Sequence, residues 1–340
     1  MKLKRTSLFL LMFLFLFLGL LSGAIPVLAE DHAPSEDIPS AAELLAADTG
    51  SASSPTPQPS AEPRPTDAPI PTMTPVPAET PRPTAAPSSV RVIPTTITSD
   101  SMLDNDTYYN VDPESLLAEA CSFTLPAEGY QILIIHTHGT EAYTPEGTDI
   151  YEPSDDYRTT DTNYSVIRVG RALAEALRAY GLNVLHDEGL YDYPSYTSSY
   201  VRSGQAIEEY LEAYPGISLV IDLHRDALGD GDTIYKTVTQ AEGTQAAQLM
   251  FVMGSDINLE HPYWQDNLSL ALTLQNAVSS RYPELMRPTT LCAYRYNQQL
   301  TAGSLLMEVG TSGNSLQEAI TAVQLFADAA APWLLSRVAE

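Results

Sequence analysis

The chain has 340 residues, of which 44% are hydrophobic and 18% are charged, and its formal net charge at pH 7 is -26. Proteins that bind nucleic acid use a basic surface to neutralise phosphates, so acidity of this size excludes that class of partner. The charge instead favours solubility through mutual repulsion.

The first 30 residues have the pattern of an export signal. Two lysines and an arginine among the first five residues precede an apolar run over about residues 8–28, which is typical of a secretory signal or an N-terminal membrane anchor. About twenty apolar residues can span a bilayer, which favours the anchor; cleavage after Ala29 is the alternative. Either way the rest is expected outside the cytoplasm. That location permits a disulfide, but spacing does not decide whether Cys121 and Cys292 pair.

A proline-rich segment separates this start from the rest of the chain. Residues 31–95 are dominated by Pro, Thr, Ser and Ala. Such a composition cannot bury enough apolar surface to offset the entropy of ordering, so a disordered linker is predicted. Residues 96–126 are a poorly defined lead-in, in which 113–120 is compatible with one short helix. A folded catalytic domain is expected over 127–338.

Within 127–338, short apolar runs alternate with amphipathic stretches. The apolar runs predict strands buried on both faces, and the amphipathic stretches predict helices. The predicted strands are 131–135, 182–186, 218–223, 249–253 and 304–309, and the predicted helices are 164–180, 198–214, 265–282 and about 315–335. Ser315 and Glu318 have the spacing of a capping box at the start of the last helix. This alternation predicts an α/β fold with a mostly parallel open sheet and helices on both faces.

Three of these strands deliver a metal-ligating or acid/base side chain at the same end. His136 and His138 follow the first predicted strand, His224 follows the third, and Glu308 lies near the end of the last. Open α/β sheets place their chemistry at the carboxyl ends of strands, so these side chains are expected to converge. A catalytic zinc takes about three His or carboxylate ligands, a bound water, and a carboxylate that accepts the water's proton. The sequence therefore predicts a zinc hydrolase site.

The choice of ligands stays open at two points. His138 is the preferred first ligand because Gly139 lets the backbone turn after it, and His136 is the fallback or an orienting partner. The carboxylate ligand is either Glu141, which has a compact His-x-x-Glu spacing with His138, or Asp161, which lies ahead of the first helix. A helix cap explains Asp161 equally well, and a salt bridge or cap explains Glu141.

Glu308 is the predicted general base. A lone acid in an apolar strand must be paired, shifted in pKa, or facing a cavity, and these are also the conditions of a catalytic base. An ion pair with Arg225 is the alternative. Arg225 is itself a candidate for stabilising charge on a carbonyl oxygen. Asp222 alternates with His224 on its strand, so it is a candidate either for orienting that ligand or for pairing with Arg225.

Four motifs occur in an order that resembles the stage II sporulation protein P family. They are His-Thr-His-Gly-Thr-Glu at 136–141, Ile-Asp-Leu-His-Arg-Asp-Ala at 221–227, Tyr-Asn-Gln-Gln-Leu at 296–300 and Leu-Met-Glu-Val-Gly at 306–310. The resemblance implies a fold like that of zinc-dependent N-acetylmuramoyl-L-alanine amidases and zinc exopeptidases. It implies cleavage of the amide between N-acetylmuramic acid and the stem peptide of peptidoglycan, with endopeptidase activity on crosslinks. It also implies stage II sporulation proteins D and M as partners in septal thinning and engulfment.

The resemblance also implies roles for individual residues. His138 and His224 correspond by position to zinc ligands, and Glu308 corresponds to the catalytic glutamate. The stretch that begins at Asp161 lines up with the start of the first amidase helix, whose glutamate binds zinc. Aspartate has a shorter reach than glutamate, so Glu141 remains the rival of Asp161.

The substrate contacts and the exact reaction are less constrained. Tyr296, Asn297 and Gln298 are a signature of the family and are interpreted as substrate contacts. A metallo-carboxypeptidase or endopeptidase acting on stem peptides is a second hypothesis, mildly favoured by the spacing of His138 and Glu141. A wall-binding module without turnover is a third hypothesis, against which the near-complete set of ligands argues.

Overall fold

The computed structural model of the chain describes residues 90–119, 121–230 and 232–339. The predicted signal or anchor and the predicted linker up to residue 89 lie outside these residues. None of the helices within the described ranges is long and apolar enough to cross a membrane. Cys121 and Cys292 are both partly buried and do not form a disulfide.

The described residues form ten strands and five α-helices. The strands are β1 Arg91–Thr95, β2 Leu103–Asn105, β3 Ile132–Ile135, β4 Val184–His186, β5 Leu219–Asp226, β6 Thr233–Ala241, β7 Thr244–Ala247, β8 Leu249–Gly254, β9 Thr289–Cys292 and β10 Ser304–Thr311. The helices are α1 Pro113–Ala118, α2 Val166–Ala179, α3 Ser199–Ala213, α4 Trp264–Arg281 and α5 Leu316–Leu335, with a short 3-10 helix at Gln298–Leu300.

The larger sheet has seven strands in the order β2-β9-β8-β10-β5-β3-β4. Strands β10, β5, β3 and β4 run parallel to one another, as do β8, β9 and β2. The pairing of β10 with β8, in the middle of the sheet, is antiparallel. The prediction of an α/β fold with a mostly parallel sheet is therefore confirmed, although the sheet is not purely parallel.

Helices cover both faces of this sheet, as β3 illustrates. Ile132 and Ile134 belong to the main core cluster, to which α2, α4 and α5 also contribute. Leu133 and Ile135 lie in a second cluster with Ile207 of α3. Successive side chains of a strand point to opposite faces, so a run of four apolar residues fits a strand that is covered on both sides.

A smaller sheet has the order β1-β6-β7 and was not predicted. Strands β6 and β7 form an antiparallel hairpin whose turn residues, Glu242 and Gly243, have φ values of 52° and 78°. Paired positive φ values suit the right-handed twist of a two-residue hairpin. Strand β1 takes up the end of the segment predicted as linker because its backbone pairs with β6. The short strands β2 and β9, at one edge of the larger sheet, were also not predicted.

The start of α5 joins the smaller sheet to the core through Glu318. Its carboxylate accepts hydrogen bonds from Ser315 N at 3.0 Å, Asn314 Nδ2 at 2.8 Å and Lys236 Nζ at 2.6 Å. Ser315 Oγ accepts from Glu318 N at 3.3 Å, which confirms the predicted capping box. Burial alone would raise the pKa of Glu318, but Lys236, Ser315 and Asn314 together lower it below its usual value of 4.5.

Replacing Glu318 with glutamine should reduce the free energy of unfolding by about 1–3 kcal/mol at pH 7, since hydrogen bonds to a charged group are lost. The folded-state pKa of Glu318 is lowered, so its contribution is present above pH 4.5 and is lost as the pH falls through the folded value. Urea unfolding of both proteins at pH 7 and pH 3.5 measures this. Equal stability at pH 7 would contradict the assignment, and the difference should shrink at pH 3.5.

Candidate functional site

The carboxyl ends of β3, β5 and β10 bring four of the predicted site residues to one edge of the sheet. The rings of His138 and His224 have centroids 5.3 Å apart and planes at 81°. Glu141 Oε2 lies 3.5 Å from His224 Nδ1. Glu308 lies opposite His224 in the register of β10 and β5. Side chains separated by many residues in sequence thus meet where parallel strands end.

Glu141 and His224 form a buried charged pair. Burial alone would lower the pKa of His224, but the carboxylates of Asp222 and Glu141 raise it well above its usual range. Burial would likewise raise the pKa of Glu141, but His224 and Arg225 hold it well below its usual range. Burial lowers the pKa of His138 to about 4, so this ring is neutral at pH 7 and its nitrogens are available as ligands.

Glu308 has the environment of a base rather than of an ion pair. Its Oε2 is buried and has no hydrogen-bond partner among the described residues. Burial raises the pKa of Glu308 to about 8, and Asp226 adds to this effect while His224 opposes it. The nearby Arg287 donates instead to Asp226 Oδ2 at 2.7 Å. A carboxylate oxygen that is free of donors can accept a proton from a reacting group.

Arg225 anchors a loop beside the site. Its guanidinium donates to Ala142 O at 2.7 Å and to Tyr157 O at 2.9 Å, and its backbone N–H donates to Glu141 Oε2 at 3.2 Å. The ion pair with Glu308 that was considered from the sequence is not formed, since these groups occupy the guanidinium. Its predicted role at a carbonyl oxygen stays a prediction.

The structure separates the two rival carboxylates. Asp161 is exposed, and among the described residues its carboxylate accepts hydrogen bonds only from Asn163, from the backbone N at 3.0 Å and from Nδ2 at 2.9 Å. It does not cap α2, because Ser165 is the N-cap residue there. Of these two rivals, Glu141 is the one that lies beside His224, so the geometry favours Glu141 over Asp161 as the ligand.

The fallback histidine, His136, is committed to other contacts. Its Nδ1 lies 2.9 Å from Leu223 O and its Nε2 lies 2.9 Å from His186 Nε2. Burial and the neighbouring His186 lower the pKa of His136 to about 3. The ring fits closely against α2, since a Cβ added at Gly170 would lie 2.4 Å from His136 Nε2. His136 therefore ties β3 to β4 and β5.

The signature residues Tyr296, Asn297 and Gln298 do not act alike. Gln298 is buried, and its amide is used by backbone groups of β8, to which it donates at 2.8 Å and from which it accepts at 2.8 Å. Asn297 Nδ2 donates to Tyr200 O at 2.8 Å, which ties this loop to α3. The ring of Tyr296 lies 5.7 Å from that of Tyr200, which in turn lies 5.4 Å from His138. Of the three signature residues, Tyr296 is the one whose side chain lies next to the ring of Tyr200.

Three further side chains near His138 were not predicted from the sequence as site residues. Asp192 is buried, accepts from Arg158 Nη1 at 2.6 Å, and has Oδ2 4.0 Å from His138 Nδ1. Tyr196 stacks on the His138 ring with centroids 4.5 Å apart and planes at 9°. The Arg158 guanidinium carbon lies 4.9 Å from the Tyr196 ring centroid. All three come from long irregular loops, where no periodic pattern indicates what a side chain will contact.

The donor set of the site fits zinc in type. His138 Nδ1 is buried without a hydrogen-bond partner in the described structure. Zinc bonds of about 2.0–2.1 Å place the atoms of a tetrahedral site about 3.3 Å apart, and the separation of His224 Nδ1 and Glu141 Oε2 is 3.5 Å. However, no group of three His, Cys, Asp or Glu side chains within the described ranges is arranged closely enough to hold a metal ion.

Comparison with known proteins decides the family. Residues 83–331 match the family model of stage II sporulation protein P (SpoIIP). The chain belongs to this family. Stage II sporulation protein P of Bacillus subtilis (strain 168) is 28% identical over 212 residues, which are 58% of this chain and 49% of that protein. The chain therefore spans about half the length of the curated relative that it matches.

Two solved structures share a weak likeness with this SpoIIP family member. The N-acetylmuramoyl-L-alanine amidase AmiC2 of Nostoc punctiforme is 13% identical with a TM-score of 0.35, over 62% of this chain and 97% of that one. The CwlD amidase of Clostridioides difficile, in complex with the GerS lipoprotein, is 16% identical with a TM-score of 0.37, over 61% of this chain and 98% of that one. These values are low, and the family assignment rests on the sequence match.

Proposed function

We propose that this chain is a zinc-dependent peptidoglycan hydrolase that cleaves the N-acetylmuramoyl-L-alanine amide of the septal wall during sporulation. The observation that carries the proposal is the meeting of His138, His224 and Glu141 at one edge of the sheet, with Glu308 beside His224. Membership of the stage II sporulation protein P family supports the place of this chemistry in spore formation.

The two imidazoles and the Glu141 carboxylate are the residues that would hold zinc. When bound, zinc polarises a substrate carbonyl and lowers the pKa of a bound water. Glu141 is preferred to Asp161 as the carboxylate because it lies next to His224. The backbone N–H of Arg225 donates a hydrogen bond to Glu141 and holds this carboxylate in place.

Glu308 is proposed to move the proton during hydrolysis. Its free Oε2 takes a proton from the attacking water and later delivers it to the amine that leaves, so that one carboxyl group serves both halves of the reaction. Burial raises the pKa of Glu308 to about 8, which makes its carboxylate form an effective base. Tyr196 stacks on the His138 ring, and Arg158 lies over the ring of Tyr196.

The proposed location follows from the pattern of the first 30 residues, and the proposed partners follow from the family resemblance. An N-terminal anchor over residues 1–30 would hold the catalytic domain on the outer side of the membrane, where peptidoglycan lies. Stage II sporulation proteins D and M are proposed as partners in septal thinning. Coprecipitation of these two proteins with the full chain from sporulating cells tests this, and their absence would reject it.

Digestion of purified peptidoglycan with the full chain tests the proposed reaction. The expected products are free stem peptides with a new L-alanine amino terminus and glycan strands that lack peptides, identified by mass spectrometry. A chelator should stop the release, and added zinc should restore it. Cleaved crosslinks with peptides still attached to sugar would indicate an endopeptidase instead, and wall binding without new amino groups would indicate a non-catalytic module.

A further inference from the structure

Asp222 is a buried acid near the site, and the proposed reaction gives it no role. Its Oδ1 accepts from Thr137 N at 2.8 Å and its Oδ2 accepts from Thr137 Oγ1 at 2.6 Å. Both residues are buried. Thr137 lies two residues after the end of β3, so these two bonds join the Asp222 carboxylate of β5 to the segment that follows the neighbouring strand.

The hydrogen-bond directions around Thr137 follow from donor counting. A carboxylate only accepts, so the single hydroxyl proton of Thr137 is donated to Asp222. Thr137 Oγ1 must then accept from Ser203 Oγ, 2.7 Å away on α3. The proton of Ser203 is used there, so its oxygen accepts from Asn297 Nδ2 at 3.1 Å. Every donor in the series thus points toward Asp222.

Asn297, at the outer end of this hydrogen-bonded series, has a backbone conformation and contacts that suit its position. Its φ of 60° lies in the left-handed region, which asparagine tolerates better than most residues. Its amide also donates to Tyr200 O at 2.8 Å. A Cβ added at Gly204 would lie 3.1 Å from Asn297 Oδ1, so the glycine allows the close approach of the loop to α3.

At the inner end, Asp222 faces the ring of His224. Asp222 Oδ1 lies 2.9 Å from His224 Nε2, with the ring N–H off the ideal line for a hydrogen bond. The opposite ring nitrogen, Nδ1, is the one that faces Glu141. A carboxylate on one imidazole nitrogen selects the tautomer and orients the ring, which leaves the other nitrogen free to act as a ligand.

We propose that Asn297, Ser203 and Thr137 are positioning residues that act through Asp222 to fix the ring of His224. The asparagine of the Tyr-Asn-Gln signature therefore helps to orient a metal ligand through other side chains and does not itself contact the substrate. The ligand role of His224 rests on the proposed function, whereas the hydrogen-bonded series itself does not.

Proton NMR of the full chain without metal tests the series directly. The His224 Nε2–H should give a downfield signal that exchanges slowly with water. Its absence in His224→Gln assigns it to this ring, and its persistence in Glu141→Ala assigns it to Nε2 rather than Nδ1. Asp222→Asn should abolish this signal. Thr137→Val and Asn297→Gly should make it exchange faster; valine keeps the shape of threonine, and glycine tolerates the positive φ. An unchanged signal in both outer variants would overturn the proposal.

Zinc affinity, measured by competition with a chromophoric chelator, is the second readout. Asp222→Asn should weaken zinc binding by roughly 10–100-fold, and Thr137→Val and Asn297→Gly by up to about tenfold, in line with the loss of groups that orient a metal ligand. The visible spectrum of the cobalt-substituted protein should change in the same order. Unchanged affinity and spectra in all three variants would overturn the proposal.

Thr289→Val is the matched control for loss of a buried hydroxyl. Thr289 is buried in β9 and bonds to Gln275, in a different part of the sheet. Thr289→Val should lower the melting temperature about as much as Thr137→Val while leaving zinc affinity and the His224 signal unchanged. If both variants changed zinc affinity and the His224 signal equally, the effects would reflect general loss of stability, and the proposal would be overturned. Wild-type chain that shows the signal but binds no zinc and cleaves no peptidoglycan would reject the proposed function and leave the series standing.

Discussion

Replacing Glu308 with glutamine should abolish amide hydrolysis while leaving zinc binding and the fold in place. The Oε2 of Glu308 has no donor in the described structure, and burial raises the pKa of Glu308 to about 8, so its ionised form is a strong base. Loss of a general base typically slows a reaction by about 10²–10⁴-fold. Release of L-alanine amino termini from purified peptidoglycan, with zinc content measured on the same samples, checks this.

The stability of the metal-free Glu308→Gln chain provides an independent check. The folded state raises the pKa of Glu308 above its usual 4.5, so ionisation of this acid costs stability as the pH rises from 4.5 through about 8. The neutral glutamine avoids this cost and should leave the chain at least as stable as wild type at pH 8. Thermal unfolding measures the difference.

Glu175→Gln is the matched control for Glu308→Gln. Glu175 is exposed on α2, so the same change in charge there should leave hydrolysis unchanged. Hydrolysis by Glu308→Gln at the wild-type rate would remove Glu308 from the mechanism. Lost hydrolysis together with a large drop in melting temperature would show a structural role instead.

Glu141→Ala should abolish tight zinc binding, whereas Asp161→Ala should leave it unchanged. Glu141 lies 3.5 Å from His224 Nδ1, while the Asp161 carboxylate is exposed and turned to Asn163. Removing a direct ligand should weaken binding by more than about 100-fold, beyond the effect of removing a group that only orients a ligand. Metal content after dialysis and chelator competition check this.

His138→Gln and His224→Gln provide the reference for complete ligand loss. Both should match Glu141→Ala in zinc content. The reverse pattern, with zinc lost in Asp161→Ala and kept in Glu141→Ala, would mean that the Asp161 segment moves onto the site when metal binds. It would also restore the alignment that the family resemblance implied for Asp161.

The sequence by itself determined the central strands and the edge of the sheet where chemistry gathers. The sequence runs that form β3, β5 and β10 have apolar residues at the positions that pack into the core. Each run is a short pattern that can be recognised without knowledge of the rest of the fold. Parallel strands end at one edge, so the sequence predicts that His138, His224 and Glu308 meet there. The capping box of α5 is also a local signal, since its two partners are three residues apart.

Only the tertiary structure decided which carboxylate joins the histidines and which polar groups hold them. The choice of Glu141 depends on how the loop that contains Tyr157 folds back onto Arg225. The link from Asn297 to Thr137 passes through Ser203 on a separate helix. These contacts join residues far apart in the chain, and their free energy comes from burial and from satisfied donors that exist only once the elements have packed. Local patterns record which side chains are present at an edge, whereas packing decides which of their atoms are in contact.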